Sequence, residues 1–208
     1  MDNILMIDIE TIPSDKMPEL SEVKVPGNYS KPETILKYQE EHLLDEYRKQ
    51  SLDSMKGRIF CTGWAVGDSN GFGQVQTACG DEKAILDQLE ATIFHDARFS
   101  GGLQWCGWNI SSFDIPFLWR KSIKHNMRMK SVIPHNNRVM QLDLMKIWAS
   151  DYKDYVKMSA CAEFLGIPHS SVSGSDVFNL WQEDEREAIA QHCIDDVSTC
   201  IEIYKRII

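Results

Sequence analysis

The stretch Ile4-Leu5-Met6-Ile7-Asp8-Ile9-Glu10 decides how this chain is read. It is an apolar run carrying two carboxylates, and it reads as a buried β-strand. Residues two apart on a strand point to the same face, so Asp8 and Glu10 stand side by side, with Ile7 and Ile9 on the other face. Two unpaired buried carboxylates are costly, and their like charge makes them costlier. A divalent cation removes that cost, and hard carboxylate oxygens suit Mg²⁺ or Mn²⁺. The plain alternative is a strand that ends at Ile7 and leaves both acids solvated at its mouth.

The surrounding chain sets limits on that reading. Its 208 residues fit one fairly large domain, and 43% hydrophobic content can fill a core. The net charge of -9 excludes a generally basic nucleic-acid binder, but not a nucleic acid held through metals and a local basic patch. Six cysteines (Cys61, Cys79, Cys106, Cys161, Cys193 and Cys200) show no close CxxC spacing, so buried free thiols are expected. The N-terminus reads as neither a signal peptide nor a membrane span, and a cytoplasmic location is the expectation.

Pro13 to Pro32 reads as a loop and Glu33 to Ser54 as a charged helix, a helical insertion over 27–56 that covers one side of the domain or forms a flap. Arg58 to Val66 and Phe72 to Ala78 suggest an antiparallel hairpin around Gly67–Gly71. A helix follows from Asp81 or Glu82 to Phe94, then a short strand over Leu103–Trp108 and a helix over Ser111–Lys124. Val139–Leu144 reads as a strand entering a short helix. Val156–Leu165 is helical and stops at Gly166, and Glu185–Ile207 is a long last helix. The order predicts an α/β domain, a mixed sheet flanked by helices.

Two more acidic stretches stand out. Trp108-Asn109-Ile110-Ser111-Ser112-Phe113-Asp114 lies where a strand hands over to a helix, the place where open α/β sheets bind ligands. Ser111 and Asp114 also fit an ordinary helix cap. His192-Cys193-Ile194-Asp195-Asp196 lies on the last helix, where His192 and Asp196, four apart, share a face. Four carboxylates on three elements suit two divalent cations about 4 Å apart gripping a phosphodiester. His192 is then the candidate general base near neutral pH.

In their order, Asp8-Ile9-Glu10-Thr11-Ile12-Pro13, Asn109 to Asp114 and His192 to Val197 resemble the three motifs of the DEDD 3'-5' exonucleases. The chain is most similar to predicted exonucleases related to the proofreading domain of family B DNA polymerases. That resemblance implies a ribonuclease H-like fold and a two-metal mechanism with Mg²⁺ or Mn²⁺. It implies that Asp8, Glu10, Asp114 and Asp196 hold metal and that nucleoside 5'-monophosphates leave a free 3' end. It places Thr11 and Ile12 near the terminal nucleotide, and it has Asn109 and Phe113 shape the cleft. One departure stands out: the family's third motif has tyrosine four residues before the last aspartate or histidine five before it. Here His192 occupies the tyrosine spacing.

From Ile115 through Leu142 there is no Asp or Glu, while Arg120, Lys121, Lys124, Arg128, Lys130 and Arg138 fall in that stretch. Beside an acidic metal site, such a run suggests a phosphate-binding flank; the plain reading is a solvated helix face. Trp64, Trp105 and Trp108 are expected in the core. The expected partner is single-stranded nucleic acid, DNA favoured over RNA, with a replication or repair protein beside it and no membrane. A ribonuclease H-like module that binds without cleaving, and a phosphoesterase for small nucleotides, are the competing expectations.

Overall fold

β1 runs over Ile4–Ile12, through both acids, so the alternative of a strand ending at Ile7 does not hold. The computed structural model describes residues 3–68, 70–96, 99, 102–135, 141–150 and 154–208. The helix α1 (Pro32–Lys49) follows, then β2 (Arg58–Asp68), β3 (Gly71–Phe72) and β4 (Gln76–Cys79). Next come α2 (Glu82–His95), β5 (Gln104–Gly107), α3 (Asp114–Lys124), β6 (Gln141–Asp143) and α4 (Leu144–Ala149). The chain continues through α5 (Met158–Leu165), α6 (Val177–Gln182) and α7 (Arg186–Ile207).

The sheet is mixed, in the order β3-β2-β1-β5-β6, with β4 also paired to β2. β1 runs antiparallel to β2 and parallel to β5, which in turn is parallel to β6. Alternation along β1 divides the core. Leu5, Ile7 and Ile9 pack with Trp64, Trp105, Leu86, Leu89 and Phe117, on the side of α2 and α3. Ile4 and Met6 pack with Val197, Cys200 and Ile201 of α7 and with Cys161 of α5. Asp8 and Glu10 continue the even-numbered face, so they meet α7.

Gly63 of β2 sits opposite Asp8 in the ladder. A Cβ there would stand 2.9 Å from the Cys193 carbonyl oxygen and 3.0 Å from Val197 Cγ2. Only a bare backbone lets α7 lie this close to the sheet. The register shifts between Glu10 and Thr11, a bulge just past the second acid.

Most elements fall where the sequence puts them, with four corrections. Cys61 and Cys79, directly opposite on β2 and β4, are joined in a disulfide, while Cys106, Cys161, Cys193 and Cys200 are free and buried. α6 was not expected; its Phe178 and Trp181 rings lie 6.1 and 6.5 Å from Tyr47 of α1. α3 starts at Asp114 rather than Ser111, because neither residue caps it: the Ser111 hydroxyl turns to Asp143 instead. α5 starts at Met158, two residues late. The strand expected from Val139 is seen over Gln141–Asp143; residues 139 and 140, like Arg138, lie outside the described residues. Trp64 and Trp105 are buried and Trp108 is partly so. α1 buries no residue of its own, yet the Tyr47 hydroxyl donates to the Ser14 carbonyl at 2.8 Å and Arg48 donates to the Ser175 carbonyl. Among the described residues, no helix is long and apolar enough to cross a membrane.

Candidate active site

β5 follows β1 only from Ile4 to Met6. Beyond that point the Asp114 carboxylate at the start of α3 accepts the Ile9 N–H, at 3.1 Å. The second acidic motif is thereby fastened to the strand that carries the first. From the other direction α7 lays Cys193 on β1, its thiol 3.6 Å from both the Asp8 carbonyl oxygen and Asp8 Oδ2. His192, the residue before Cys193, and Asp196, three residues after it, reach the same place. His192 Nε2 is 3.1 Å from Glu10 Oε1, and His192 Nδ1 is 3.5 Å from Asp196 Oδ1.

The electrostatics are those of acids crowded without a counter-charge among the described residues. Burial pushes up the Asp8 carboxyl, and Asp114 adds to it. Burial also raises Glu10, with Asp8, Asp196 and Asp114 all acting in the same direction. Asp114 is pushed up to about 8 by burial, although the Ile9 N–H opposes the shift. Asp196 is likewise pushed up to about 8, by burial and then by Asp8. Burial lowers His192, so its ring is neutral at physiological pH. Neither ring nitrogen has a partner in hydrogen-bond geometry, despite the two short contacts. Clustered acids pushed toward their neutral forms by burial, beside an orphaned imidazole, are what a divalent cation would satisfy. The residues present therefore fit the metal that the chemistry asks for.

Asp143, at the end of β6, is the residue the sequence reading passed over. Its Oδ1 accepts the Asn109 N–H at 3.1 Å, and its Oδ2 accepts the Ser111 N–H at 3.2 Å and the Ser111 hydroxyl at 2.5 Å. Asn109 is left-handed, with φ 56°, a conformation that asparagine tolerates. Asp143 and Asn109 together build the turn that aims Asp114. The signal was present as an acid at a strand end two elements from the motif, but no local spacing marks it.

The other expected residues divide. Asp8, Glu10, Asp114, His192 and Asp196 come together. Asn109 lines a cleft of about 560 Å³ with Trp108, Lys157, His169 and Ser173, and the cleft reaches His192 and Asp196. Phe113 and Arg120 line a second cleft, about 390 Å³, with Ser54 and Pro116. Thr11 and Ile12 are not at the surface: the Thr11 hydroxyl donates to the Ser51 carbonyl, and Ile12 is fully buried with Phe60 and Ile189, since β1 is covered on both faces beyond the bulge. The basic run is also spent differently from expectation. Lys121 is buried, donates to the Gly57 carbonyl and lies 3.8 Å from Glu82; Lys124 donates to Glu82 at 2.9 Å. Arg120 donates to Ser54, and the Arg128 guanidinium sits 4.0 Å over the Phe94 ring. The exposed cation on the larger cleft is Lys157, in a stretch with no motif to announce it.

The RNase H superfamily model matches residues 49–208, which leaves β1 ahead of the matched span. No curated protein sequence matches the chain. Among solved structures, it is similar to a family B DNA polymerase from the archaeon Pyrobaculum calidifontis, with TM-score 0.61 and 14% identity over 99% of this chain and 24% of that one. It is also similar to E. coli exonuclease I bound to a dT13 oligonucleotide, with TM-score 0.55 and 12% identity over 100% of this chain and 41% of that one. A product-bound exonuclease I matches with TM-score 0.55 and 11% identity, over 98% of this chain and 42% of that one. The chain thus spans less than half the length of these structures, and at such identity the likeness is one of fold.

Proposed function

The chain belongs to the RNase H superfamily, and on that footing we propose that it is a metal-dependent 3'-5' exonuclease. The observation that carries this reading is the gathering of Asp8, Glu10, Asp114 and Asp196 from β1, α3 and α7 into one buried group with no compensating cation among the described residues. These four would hold two divalent cations, Mg²⁺ or Mn²⁺. Such ions lower the pKa of water and neutralise charge developing on a phosphodiester.

The chain's own groups do the positioning. The Ile9 N–H fixes one Asp114 oxygen, and the Cys193 thiol orients Asp8. Asp143 holds the Asn109–Ser111 turn, so α3 presents its acid at a set distance from β1. Asn109 and Lys157 on the larger cleft would take the strand's sugar and phosphate, with Phe113 and Arg120 at the smaller one. The substrate is single-stranded, since a terminal nucleotide must leave its stack to reach a recessed site, and DNA is favoured over RNA on the resemblance to polymerase proofreading domains. The oligonucleotide seen with exonuclease I supports that choice of strand. Products are nucleoside 5'-monophosphates. Residues 1–208 act as one exonuclease-like domain with a helical insertion over 27–56, in the cytoplasm and beside a replication or repair partner. The sequence assigns His192 as general base, but its two nitrogens face carboxylates, and a different task is argued below.

The test is single-stranded DNA labelled at the 3' or the 5' end, incubated with Mg²⁺ or Mn²⁺ and with wild-type or Asp8→Ala protein. Stepwise shortening from the 3' end that disappears in the variant is expected. Folded protein that cuts with neither metal would replace this reading with a module that binds without cleaving.

A further inference from the structure

We infer that His192 is itself a metal ligand, completing with Glu10 and Asp196 a mixed nitrogen and oxygen site that prefers Mn²⁺ to Mg²⁺. The inference rests on the reading of the acids as a cation site. It departs from that reading in moving the histidine from proton transfer to coordination.

The argument starts from what an imidazole can offer. A neutral ring has one N–H and one lone pair; a protonated ring has two N–H groups. His192 has a carboxylate oxygen beside each nitrogen, at 3.1 and 3.5 Å. Two N–H groups would give two charge-assisted hydrogen bonds, yet neither contact has that geometry. With one N–H, the other nitrogen turns a lone pair toward a carboxylate oxygen, and two lone pairs repel. A cation between them reverses the sign of that contact. The ring is only 3% exposed, so water is poorly placed to do the same.

The distances agree with a shared ion. One donor atom from each of Glu10, His192 and Asp196 lies within 4.8 Å of the other two. Adjacent ligands at right angles, on bonds of about 2.2 Å, lie about 3 Å apart, and opposite ligands about 4.4 Å apart. The 3.1 Å between His192 Nε2 and Glu10 Oε1 is such an edge. Nδ1 then faces Asp196, which would orient the ring as carboxylates behind metal-bound histidines do, and Asp196 also has a donor atom within 4.8 Å of the other two ligands. The i, i+4 spacing on α7 makes this geometry available, with His192 on the same face as Asp196. A general base, by contrast, needs one nitrogen turned to an open water position, and both His192 nitrogens are buried.

Nitrogen donors change the choice of metal. Mg²⁺ is a hard ion that takes oxygen ligands and dehydrates reluctantly, whereas Mn²⁺ and later first-row ions accept imidazole. The site would therefore discriminate through His192.

Pulsed electron paramagnetic resonance on the Mn²⁺-loaded full chain reads the ligand directly, and calorimetric titration with Mn²⁺ and with Mg²⁺ reads the preference. The expected result is ¹⁴N modulation from an imidazole in the wild-type protein, absent in His192→Gln that still binds Mn²⁺. The Mn²⁺ to Mg²⁺ affinity ratio should fall on the order of tenfold in that variant. His192→Asn serves as a second variant if His192→Gln fails to fold. Mn²⁺ bound at the Asp8-dependent site without nitrogen modulation would overturn the inference, as would modulation that persists in the variants. Directional cleavage without a nitrogen signal would keep the exonuclease and remove His192 from the ligands. Failure to bind Mn²⁺ would overturn both together.

Discussion

Glu10 and Glu82 are equally buried, each 7% exposed, and they behave in opposite ways. Burial alone would raise the Glu82 carboxyl. Hydrogen bonds from His125 at 2.7 Å, Lys124 at 2.9 Å and the Ile59 N–H at 2.9 Å outweigh it and hold Glu82 below its ordinary value. Glu10 has burial and three more acids pushing it up, and a neutral histidine as neighbour. Depth is the same at both sites. What differs is whether the fold supplies the positive partner. At Glu82 it does, and the group is structural. At Glu10 it does not, and the missing charge is left for something that binds.

The widest separation between the two regions should come from Asp8→Asn. Removing one metal-binding carboxylate takes away several kcal/mol of charge stabilisation, so cleavage should fall by about 10³-fold or more. The same variant, measured by urea unfolding in chelator, should be no less stable than wild type, because an amide at this buried position carries neither the cost of burying a charge nor that of taking up a proton. Glu82→Ala is the mirror experiment. It strands the buried Lys121 ammonium and should cost about 3 kcal/mol of stability, while the cleavage rate per folded molecule stays unchanged. A rate loss in Glu82→Ala, or a stability loss in Asp8→Asn, would erase the distinction.

pH sharpens it further. In the metal-free protein Asp114 and Asp196 are raised to about 8, from 3.8. The folded state therefore holds more protons than the unfolded state over that interval. The stability these groups confer is complete below about pH 4 and is lost as pH rises through about 8. Melting temperature in chelator should decline over that range. Mn²⁺ should abolish the decline, because only the ionised carboxylates bind it, and its affinity should rise over the same range. A double Asp114→Asn, Asp196→Asn protein that declines as steeply as wild type would contradict this. The smallest effect is expected from Gly63→Ala. Its methyl would press on Cys193 and Val197, costing about 1–3 kcal/mol and lowering Mn²⁺ affinity by shifting α7 off the acids.

How much of this is legible without a structure depends on whether the signal is local. Asp8 and Glu10 announce themselves, since two acids inside an apolar run break the pattern of a core strand. His192 and Asp196 are readable because helical spacing puts them on one face. The charged run from Arg120 to Arg128 is visible as composition, but composition does not say that Glu82, some 40 residues earlier, claims Lys121 and Lys124. Asp143 and Lys157 lie near the acids only through the parallel pairing of β5 with β6 and the loop ahead of α5. Cys61 and Cys79 look like ordinary core thiols until the ladder sets them opposite each other. Ile12 reads as part of a motif, yet the bulge after Glu10 ends the motif's exposed face there.

The closeness of α7 to β2 and β1 has a consequence in time. Cys193 and Asp8 touch across 185 positions of sequence. As the chain emerges from the ribosome, β1 precedes the helix that completes its acidic pocket by every other element described between them. A nascent chain shorter than that holds Asp8 and Glu10 without Asp196 or His192. On the proposed function, the acid cluster would be complete only once α7 packs over Gly63, so a chain that lacks α7 would lack the means to cleave nucleic acid.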